Sequence, residues 1–300
     1  MFDTHCHVQF QGLDTEREDI VKKCKEKNVI LNLVGTQKDT SRRAVEMAEQ
    51  YPNCYASLGL HPNHLFPTYI DEEESHFLSR EEEFDEGFYE PIAKSKKVIA
   101  MGETGLDLFH LPRDIPVEIV LEKQKSVFLQ HLYFAQKYNL SLVVHCREAH
   151  EQLIDLLKLE IRNPDVKYGV PYPPHAGHRN WKLGIPRGVI HCYTGNWEYA
   201  QEYLDLGFYL GFTGVITFPP KKTDPRAQEE LLRVVKEIPL DRMVVETDAP
   251  YLAPQAYRGQ RSYPWMVEEQ IKCIAAMRDL SATEVETITD QNAKQLFNLI

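Results

Sequence analysis

Histidine and carboxylate side chains recur in this sequence at the ends of short apolar runs. The first run ends at His5 and His7, which would share one face of a strand and could bind one metal ion through neutral imidazoles. The candidate metal ligands in such positions are His5, His7, Glu103, His145, His191 and Asp248. Because buried polar groups without partners are costly, this set predicts a metal centre.

Six ligands exceed the four that one tetrahedral zinc ion takes, so they suggest two ions that share a ligand. One ion is expected to bind His5, His7, Glu103 and Asp248, and the other Glu103, His145 and His191. Glu103 would bridge the ions, and Asp248 could also accept a proton from the attacking water as the general base. Asp3 and Glu246 are expected to accept hydrogen bonds from imidazole N–H groups. The chemistry that these residues predict is metal-assisted hydrolysis.

Strand-like apolar runs alternate with helical patterns along the chain. Eight strands are predicted, near residues 2–7, 29–35, 54–60, 98–103, 140–145, 188–191, 207–211 and 243–246. Strands that are each followed by a helix favour an α/β fold, a (β/α)8 TIM barrel that forms a single domain over residues 1–300. An open doubly wound sheet is the alternative, but no glycine-rich turn follows the first strand. In a barrel, the candidate ligands would converge at the carboxyl ends of the strands.

Charge is unevenly distributed over the 300 residues, whose net charge is −11. Of 45 acidic and 34 basic residues, ten acidic and one basic lie between Asp71 and Glu90, which leaves 35 and 33 elsewhere. The net charge therefore does not exclude a nucleic-acid partner. Apolar residues at helical spacing predict an acidic helical segment over about 70–94. A proline-rich loop is predicted over about 163–187, at the rim opposite the ligands.

Several sequence features bear on where the protein resides. No apolar run approaches the roughly 18 residues of a membrane helix. The amino terminus lacks the apolar core of a signal peptide, and six irregularly spaced cysteines do not suggest disulfides. We therefore expect a cytoplasmic protein, or a nuclear one in a eukaryote, with no membrane partner. Nothing in the sequence points to an obligate protein partner.

Six motifs resemble those of the TatD family of metal-dependent deoxyribonucleases, in the amidohydrolase superfamily of barrels. They are, in order, D-T-H-C-H, G-L-H-P, G-E-T-G-L-D, H-C-R, H-C-Y-T-G and E-T-D-A-P. The resemblance spans residues 2 to about 300 and implies that the six candidates are metal ligands. It also implies that His61 and Arg147 lie near a substrate phosphate. Arg258 and Arg261 are further substrate candidates, although the segment around them departs from the Arg-Asn-Glu-Pro sequence usual in the family.

The resemblance implies hydrolysis of DNA phosphodiester bonds with two divalent ions, often as a 3′-5′ exonuclease on single strands. Mg²⁺ is the expected metal, with Mn²⁺ and Zn²⁺ as alternatives, since histidine and carboxylate ligands accept all three. The alternative function is an amide or ester hydrolase of the same superfamily, acting on small molecules or aminoacyl-tRNA. Glu103 takes the place of the carboxylated lysine found in many such enzymes and favours the phosphodiesterase. A non-catalytic binding barrel would not need Asp248.

Other polar and aromatic residues leave more than one interpretation. His110, His131 and His150 are expected to be structural or surface residues, since they lack a partner at ligand spacing. Four aromatic residues near the strand ends could stack on bases or simply pack: Phe109, Tyr193, Tyr251 and Tyr257.

Overall fold

Eight parallel strands form the centre of the structure, a computed structural model that describes residues 1–67, 69–72, 75–162, 187–223 and 225–300. The strands in chain order are β1 (Phe2–Cys6), β2 (Ile30–Val34), β3 (Cys54–Leu58), β4 (Tyr69–Glu72), β5 (Ser75–Leu78), β6 (Val98–Asp107), β7 (Ser141–Arg147), β8 (Gly188–Ile190), β9 (Tyr209–Phe212) and β10 (Met243–Val245). The parallel sheet has the order β1-β2-β3-β6-β7-β8-β9-β10, and its strands are almost entirely buried. The sequences of such strands are continuous apolar runs because helices cover the outside of the sheet.

The two edges of this sheet meet and nearly close it into a barrel. A bridge joins Cys6 to Ala249, just beyond the ends of β1 and β10. The backbone N–H of Asp248 donates to the carbonyl of His5 (2.9 Å), and that of His7 donates to the carbonyl of Ala249 (2.7 Å). The predicted (β/α)8 barrel is therefore confirmed, and its seam lies beside two of the predicted ligands.

Helices connect the strands and cover the outside of the sheet. They are α1 (Arg17–Glu26), α2 (Lys38–Gln50), α3 (Glu86–Ala93), α4 (Val117–Tyr138), α5 (His150–Arg162), α6 (Trp197–Asp205), α7 (Arg226–Glu237), α8 (Val267–Arg278) and α9 (Ala282–Leu296). Polar residues fix several ends: Ser281 and Glu284 form a capping box at α9, and Asn139 ends α4 in the left-handed conformation. Among the described residues, no helix is both long and apolar enough to cross a membrane.

The barrel interior is apolar at the amino ends of the strands and polar at the carboxyl ends. The apolar layer contains Phe2, Ile99, Val143, Val189, Tyr209 and Val244. Leu296 and Phe297, at the end of α9, join this cluster. Because side chains close this end, the opposite end is the one that can admit a ligand.

The predicted acidic helix over about 70–94 is wrong for its first part. β4 and β5 pair antiparallel there, with Ile70 opposite Phe77. Among the described residues of this range, the helix is α3 (Glu86–Ala93). Aromatic and β-branched residues favour strands, and four consecutive acidic residues, Asp71 to Glu74, would repel one another within one helical turn. The predicted proline-rich loop lies outside the described residues except for Arg187.

Gly105 allows β6 and β7 to approach closely beside the candidate ligands. Its φ is +153°, and a Cβ atom there would collide with the carbonyl oxygen of His145. We expect Gly105→Ala to lower the free energy of unfolding by about 3 kcal/mol or more, from backbone strain and overpacking. Denaturant unfolding measures this loss. Gly12→Ala is the control, because a Cβ at Gly12 meets nothing within 4 Å. Equal stability of the two variants would contradict the packing described here.

Candidate metal centre

The six predicted ligands lie together at the carboxyl ends of the strands, around the buried carboxylate of Glu103. They come from five strands or the residues that follow them: His5 and His7 from β1, Glu103 from β6, His145 from β7, His191 from β8 and Asp248 from β10. The backbone is left-handed at the ligand Asp248 (φ +61°) and at Cys192 (φ +46°), the residue that follows the ligand His191. Left-handed non-glycine residues are uncommon and cluster at functional sites.

The first group of donor atoms gathers on one side of Glu103. His5 Nε2 lies 3.2 Å from His7 Nε2 and 3.3 Å from Glu103 Oε2. Asp248 Oδ1 lies 3.2 Å from His7 Nε2 and 3.6 Å from His5 Nε2. Two imidazole nitrogens and two carboxylate oxygens thus point toward one small region.

The second group lies at the other oxygen of the same carboxylate. Glu103 Oε1 is 3.1 Å from His145 Nδ1 and 3.4 Å from His61 Nε2. His191 Nε2 lies between the two groups, 3.9 Å from Glu103 Oε1 and 3.8 Å from Asp248 Oδ1. The structure therefore places His61, which the sequence assigned to substrate contact, among the atoms that could hold a metal.

The separations between these atoms suit metal binding. Ligand atoms about 2.0–2.1 Å from one ion lie about 2.8–3.4 Å apart in octahedral and tetrahedral arrangements. The closest pairs in both groups fall within or near that range. Imidazole nitrogen and carboxylate oxygen are also suitable donors for Zn²⁺ and Mn²⁺, and carboxylate oxygen for Mg²⁺. The residues present therefore fit a metal centre.

The protonation states favour metal binding at the centre of the site. Burial acts to raise the pKa of Glu103, but the interactions with His61 and His5 and the hydrogen bond with His145 outweigh it and hold that pKa well below its usual value. Burial likewise opposes ionisation of Asp248, whose pKa is lowered by the hydrogen bond with His7 and by the charge of His191. Burial lowers the pKa of His5. Ionised carboxylates and a neutral imidazole are the forms that bind metals, whereas hydrogen bonds and charges of neighbouring carboxylates outweigh burial and raise the pKa of His145 to about 9, so that this ring must release a proton when a metal binds.

Glu246 lies behind the ring of His191. Its Oε1 atom is 2.9 Å from His191 Nδ1 and accepts a hydrogen bond from the backbone N–H of Cys192 (2.6 Å). Burial acts to lower the pKa of His191, but the charge of Glu246 raises it to about 10. Glu246 therefore orients the ring so that Nε2 faces the site.

Asp3 has a different role from the one predicted. It accepts hydrogen bonds from the backbone N–H (2.8 Å) and the hydroxyl (2.6 Å) of Thr247, and from the backbone N–H of His5 (3.3 Å). None of these donors is an imidazole ring nitrogen, because the carboxylate reaches across the barrel seam to the residue before Asp248. Asp3 therefore fixes the backbone that carries Asp248.

Asp107 is a residue of the site that the sequence analysis missed. Its Oδ2 atom lies 3.0 Å from His145 Nε2 and 3.0 Å from His110 Nδ1. Gln124 of α4 holds the backbone of Asp107 through two hydrogen bonds, of 3.0 and 2.9 Å. Asp107 thus directs His145 Nδ1 toward Glu103. Its position four residues after Glu103, at the end of a strand, was the available signal.

We expect Asp107→Asn to lower metal affinity by about 10- to 100-fold, because the hydrogen-bond acceptor that orients His145 is altered. Isothermal titration of the metal-free protein with Mn²⁺ measures this change without relying on activity. Asp114→Asn, an exposed residue in the same loop, is the matched control. Unchanged affinity in Asp107→Asn would show that His145 is positioned without Asp107.

The predicted substrate-contact arginines lie at the end of β7 (Arg147) and on the segment that follows β10 (Arg258 and Arg261), and each has a protein partner. The Arg147 guanidinium lies 4.0 Å from the ring centroid of Phe109, and that of Arg258 lies 4.5 Å from that of Phe218. Arg261 Nη1 is 2.6 Å from Glu16 Oε1.

Of the aromatic residues considered for base stacking and the histidines outside the metal centre, some lie at the rim and others in the interior. Tyr193 is buried, and its hydroxyl donates to the carbonyl of Asn196, so it serves packing. Tyr251 lies against the ring of His7, with centroids 6.3 Å apart. His131 is structural as predicted, since it is buried and its Nε2 accepts a hydrogen bond from the backbone N–H of Leu60 (3.0 Å).

Comparison with known proteins places this geometry in a family. Residues 2–298 match the family described as TatD related DNase. The chain is 34% identical over 303 residues to an uncharacterized metal-dependent hydrolase, YabD, of Bacillus subtilis, covering 100% of this chain and 99% of the relative. It is 30% identical over 306 residues to the 3′-5′ ssDNA/RNA exonuclease TatD of Pectobacterium parmentieri, covering both chains fully (100%).

Solved structures agree with the sequence relatives. The TatD homologue YjjV of Escherichia coli K12 superposes with a TM-score of 0.76 at 25% identity, covering 99% of this chain and 98% of that one. A TatD family hydrolase of Entamoeba histolytica has a TM-score of 0.71 at 20% identity, covering 99% and 97%, and shares the fold.

Proposed function

We propose that this chain, which belongs to the family of TatD related DNases, removes nucleotides from the 3′ end of single-stranded DNA. It is a metal-dependent hydrolase that acts on ester bonds. The observation that carries the proposal is the placement of Glu103, whose two oxygens face separate groups of imidazoles. The name of the Pectobacterium relative, a 3′-5′ ssDNA/RNA exonuclease, supports the substrate and the polarity.

We assign two divalent ions to the site, with Mg²⁺ as the physiological metal and Mn²⁺ or Zn²⁺ as substitutes. The first ion is assigned to His5, His7, Glu103 and Asp248, and the second to Glu103, His145 and His191. When bound, such ions lower the pKa of a water molecule and neutralise charge on the phosphate oxygens during an in-line displacement.

The residues of the chain then have distinct tasks. Asp248, ionised at neutral pH, accepts the proton of the attacking water as the general base. Glu246 and Asp107 keep His191 and His145 directed into the site. We assign contact with the substrate phosphates to His61, Arg147, Arg258 and Arg261, the last of which would exchange its ion pair with Glu16 for a phosphate.

The state of the cysteines supports a reducing compartment. All six cysteines of the sequence lie among the described residues and are free thiols. Disulfides are rare where glutathione and thioredoxin keep thiols reduced. We propose the cytoplasm as the compartment in which the enzyme works.

A substrate panel tests this function. The metal-loaded protein would be given single-stranded DNA, duplex DNA, single-stranded RNA, a dihydropyrimidine and a lactone under the same conditions. We expect single-stranded DNA to have the highest kcat/KM. Rapid hydrolysis of the dihydropyrimidine or lactone, with DNA left intact, would contradict the proposal and identify an amide or ester hydrolase on the same barrel.

A further inference from the structure

An exposed aromatic ring lies at the rim beside the candidate metal centre. The Phe109 side chain is 50% exposed, and it is the single aromatic among the five large hydrophobic side chains exposed in the part of the chain that the structure describes. The guanidinium of Arg147 lies over this ring, with Cζ 4.0 Å from the centroid. The guanidinium contacts the face of the Phe109 ring, and half of the Phe109 side chain stays exposed.

Short hydrogen bonds connect the backbone of Phe109 to a residue of the candidate metal centre. The backbone N–H of Phe109 donates to Asp107 Oδ1 (2.8 Å), and the other oxygen of that carboxylate lies 3.0 Å from His145 Nε2. The backbone N–H of Leu108 donates to the carbonyl of Arg147 (3.0 Å), continuing the pairing of β6 with β7. The ring, the guanidinium and the candidate ligand are therefore held by one pair of strands.

The loop that carries Phe109 is also anchored further along. Leu111 and Ile115 pack against an apolar cluster that contains Leu60 and Leu65. Because strand pairing holds the loop before Phe109 and this packing holds it after Phe109, the backbone that carries the ring is anchored on both sides. Preorganised aromatic rings bind ligands at a lower entropic cost.

We infer that Phe109, backed by Arg147, is a stacking site for one unpaired nucleobase of the substrate, next to the phosphodiester that is cleaved. The inference rests on the proposed function and deepens it by naming the part of the substrate that this rim recognises. Every base has a π face, so the site accepts any base but requires that it be unpaired. A base inside a duplex cannot lie on the ring, which gives a physical reason for a preference for single strands.

The test compares substrates with and without bases. Stacking on one aromatic side chain is worth about 5- to 150-fold in binding, so we expect Phe109→Ala to raise KM for a single-stranded oligonucleotide by roughly that factor. The kcat is expected to stay within about twofold, because the role inferred for the ring is to bind a base and not to hold a metal or the attacking water. Phe109→Trp should restore the wild-type KM. An oligonucleotide of the same length with abasic residues at its 3′ end should be bound equally by wild type and Phe109→Ala.

A second measurement detects stacking without catalysis. An oligonucleotide with 2-aminopurine near its 3′ end, bound in the presence of chelator, should be quenched by the wild type and remain fluorescent with Phe109→Ala. Leu159→Ala, a change at another hydrophobic side chain with 50% exposure, is the matched control and should behave as wild type. Circular dichroism confirms that each variant is folded.

The outcomes separate this inference from the proposed function. A wild type that cleaves single-stranded DNA, together with a Phe109→Ala variant of unchanged KM and unchanged quenching, would overturn the stacking site alone. A wild type that cleaves no nucleic acid would overturn the proposed function and the stacking site with it.

Discussion

Replacement of Glu103 by alanine is expected to reduce hydrolysis by about 10³-fold or more and to lower the metal content of the purified protein. The Glu103 carboxylate lies within 4.0 Å of five imidazole rings, and its two oxygens face the two groups of donor atoms. Its loss would remove the proposed bridging charge, and several kcal/mol of charge stabilisation at the transition state corresponds to this factor in rate. Kinetic assays and inductively coupled plasma mass spectrometry measure the two effects.

The control for Glu103→Ala is Glu118→Ala, at an exposed position in the first turn of α4. This variant should keep both the activity and the metal content of the wild type. Full activity in Glu103→Ala would rule out a bridging role. A loss of activity accompanied by unfolding would be detected by circular dichroism and would call for the milder Glu103→Gln change.

Asp248→Asn is expected to lower kcat by about 10²- to 10⁴-fold while much of the bound metal is retained. Asparagine keeps one oxygen for metal binding but cannot accept the proton of the attacking water, which removes general-base catalysis. It also tolerates the left-handed backbone at this position (φ +61°) better than alanine would. Steady-state kinetics and metal analysis of the same sample give both quantities.

Asp241→Asn is the matched control, because Asp241 is exposed and lies two residues before β10, at the opposite end of that strand from Asp248. Changes at that end of a barrel affect stability rather than catalysis. A kcat for Asp248→Asn within tenfold of the wild type would remove Asp248 from the general-base role and leave it as a ligand candidate only.

The barrel strands and the convergence of the ligands could be predicted because both follow from local pattern and topology. Strands buried on both faces are apolar runs, and parallel strands bring their carboxyl ends to one rim. Once eight strands are placed, residues as distant in sequence as His5 and Asp248 must lie close together. The same reasoning failed at β4 and β5, because the apolar spacing that predicts a helix takes no account of the strand preference of the aromatic and β-branched residues there.

The partners of individual side chains could not be predicted, since they depend on directions that a sequence pattern does not fix. Asp3 reaches Thr247 across the seam rather than an imidazole. The ion pair of Arg261 with Glu16 joins residues 245 positions apart. Asp107 and His110 become part of the site because the chain turns back on the carboxylate directly after β6.

The most direct test of metal-dependent DNA hydrolysis at this site is the digestion of 5′-labelled single-stranded DNA on a denaturing gel. The protein would be stripped with chelator, resupplied with Mg²⁺ and compared with Asp248→Asn. We predict a ladder that shortens from the 3′ end, requires the metal and is absent from the variant. If the DNA stays intact although the wild-type protein is shown to bind its metal, metal-dependent hydrolysis of DNA at this site is contradicted.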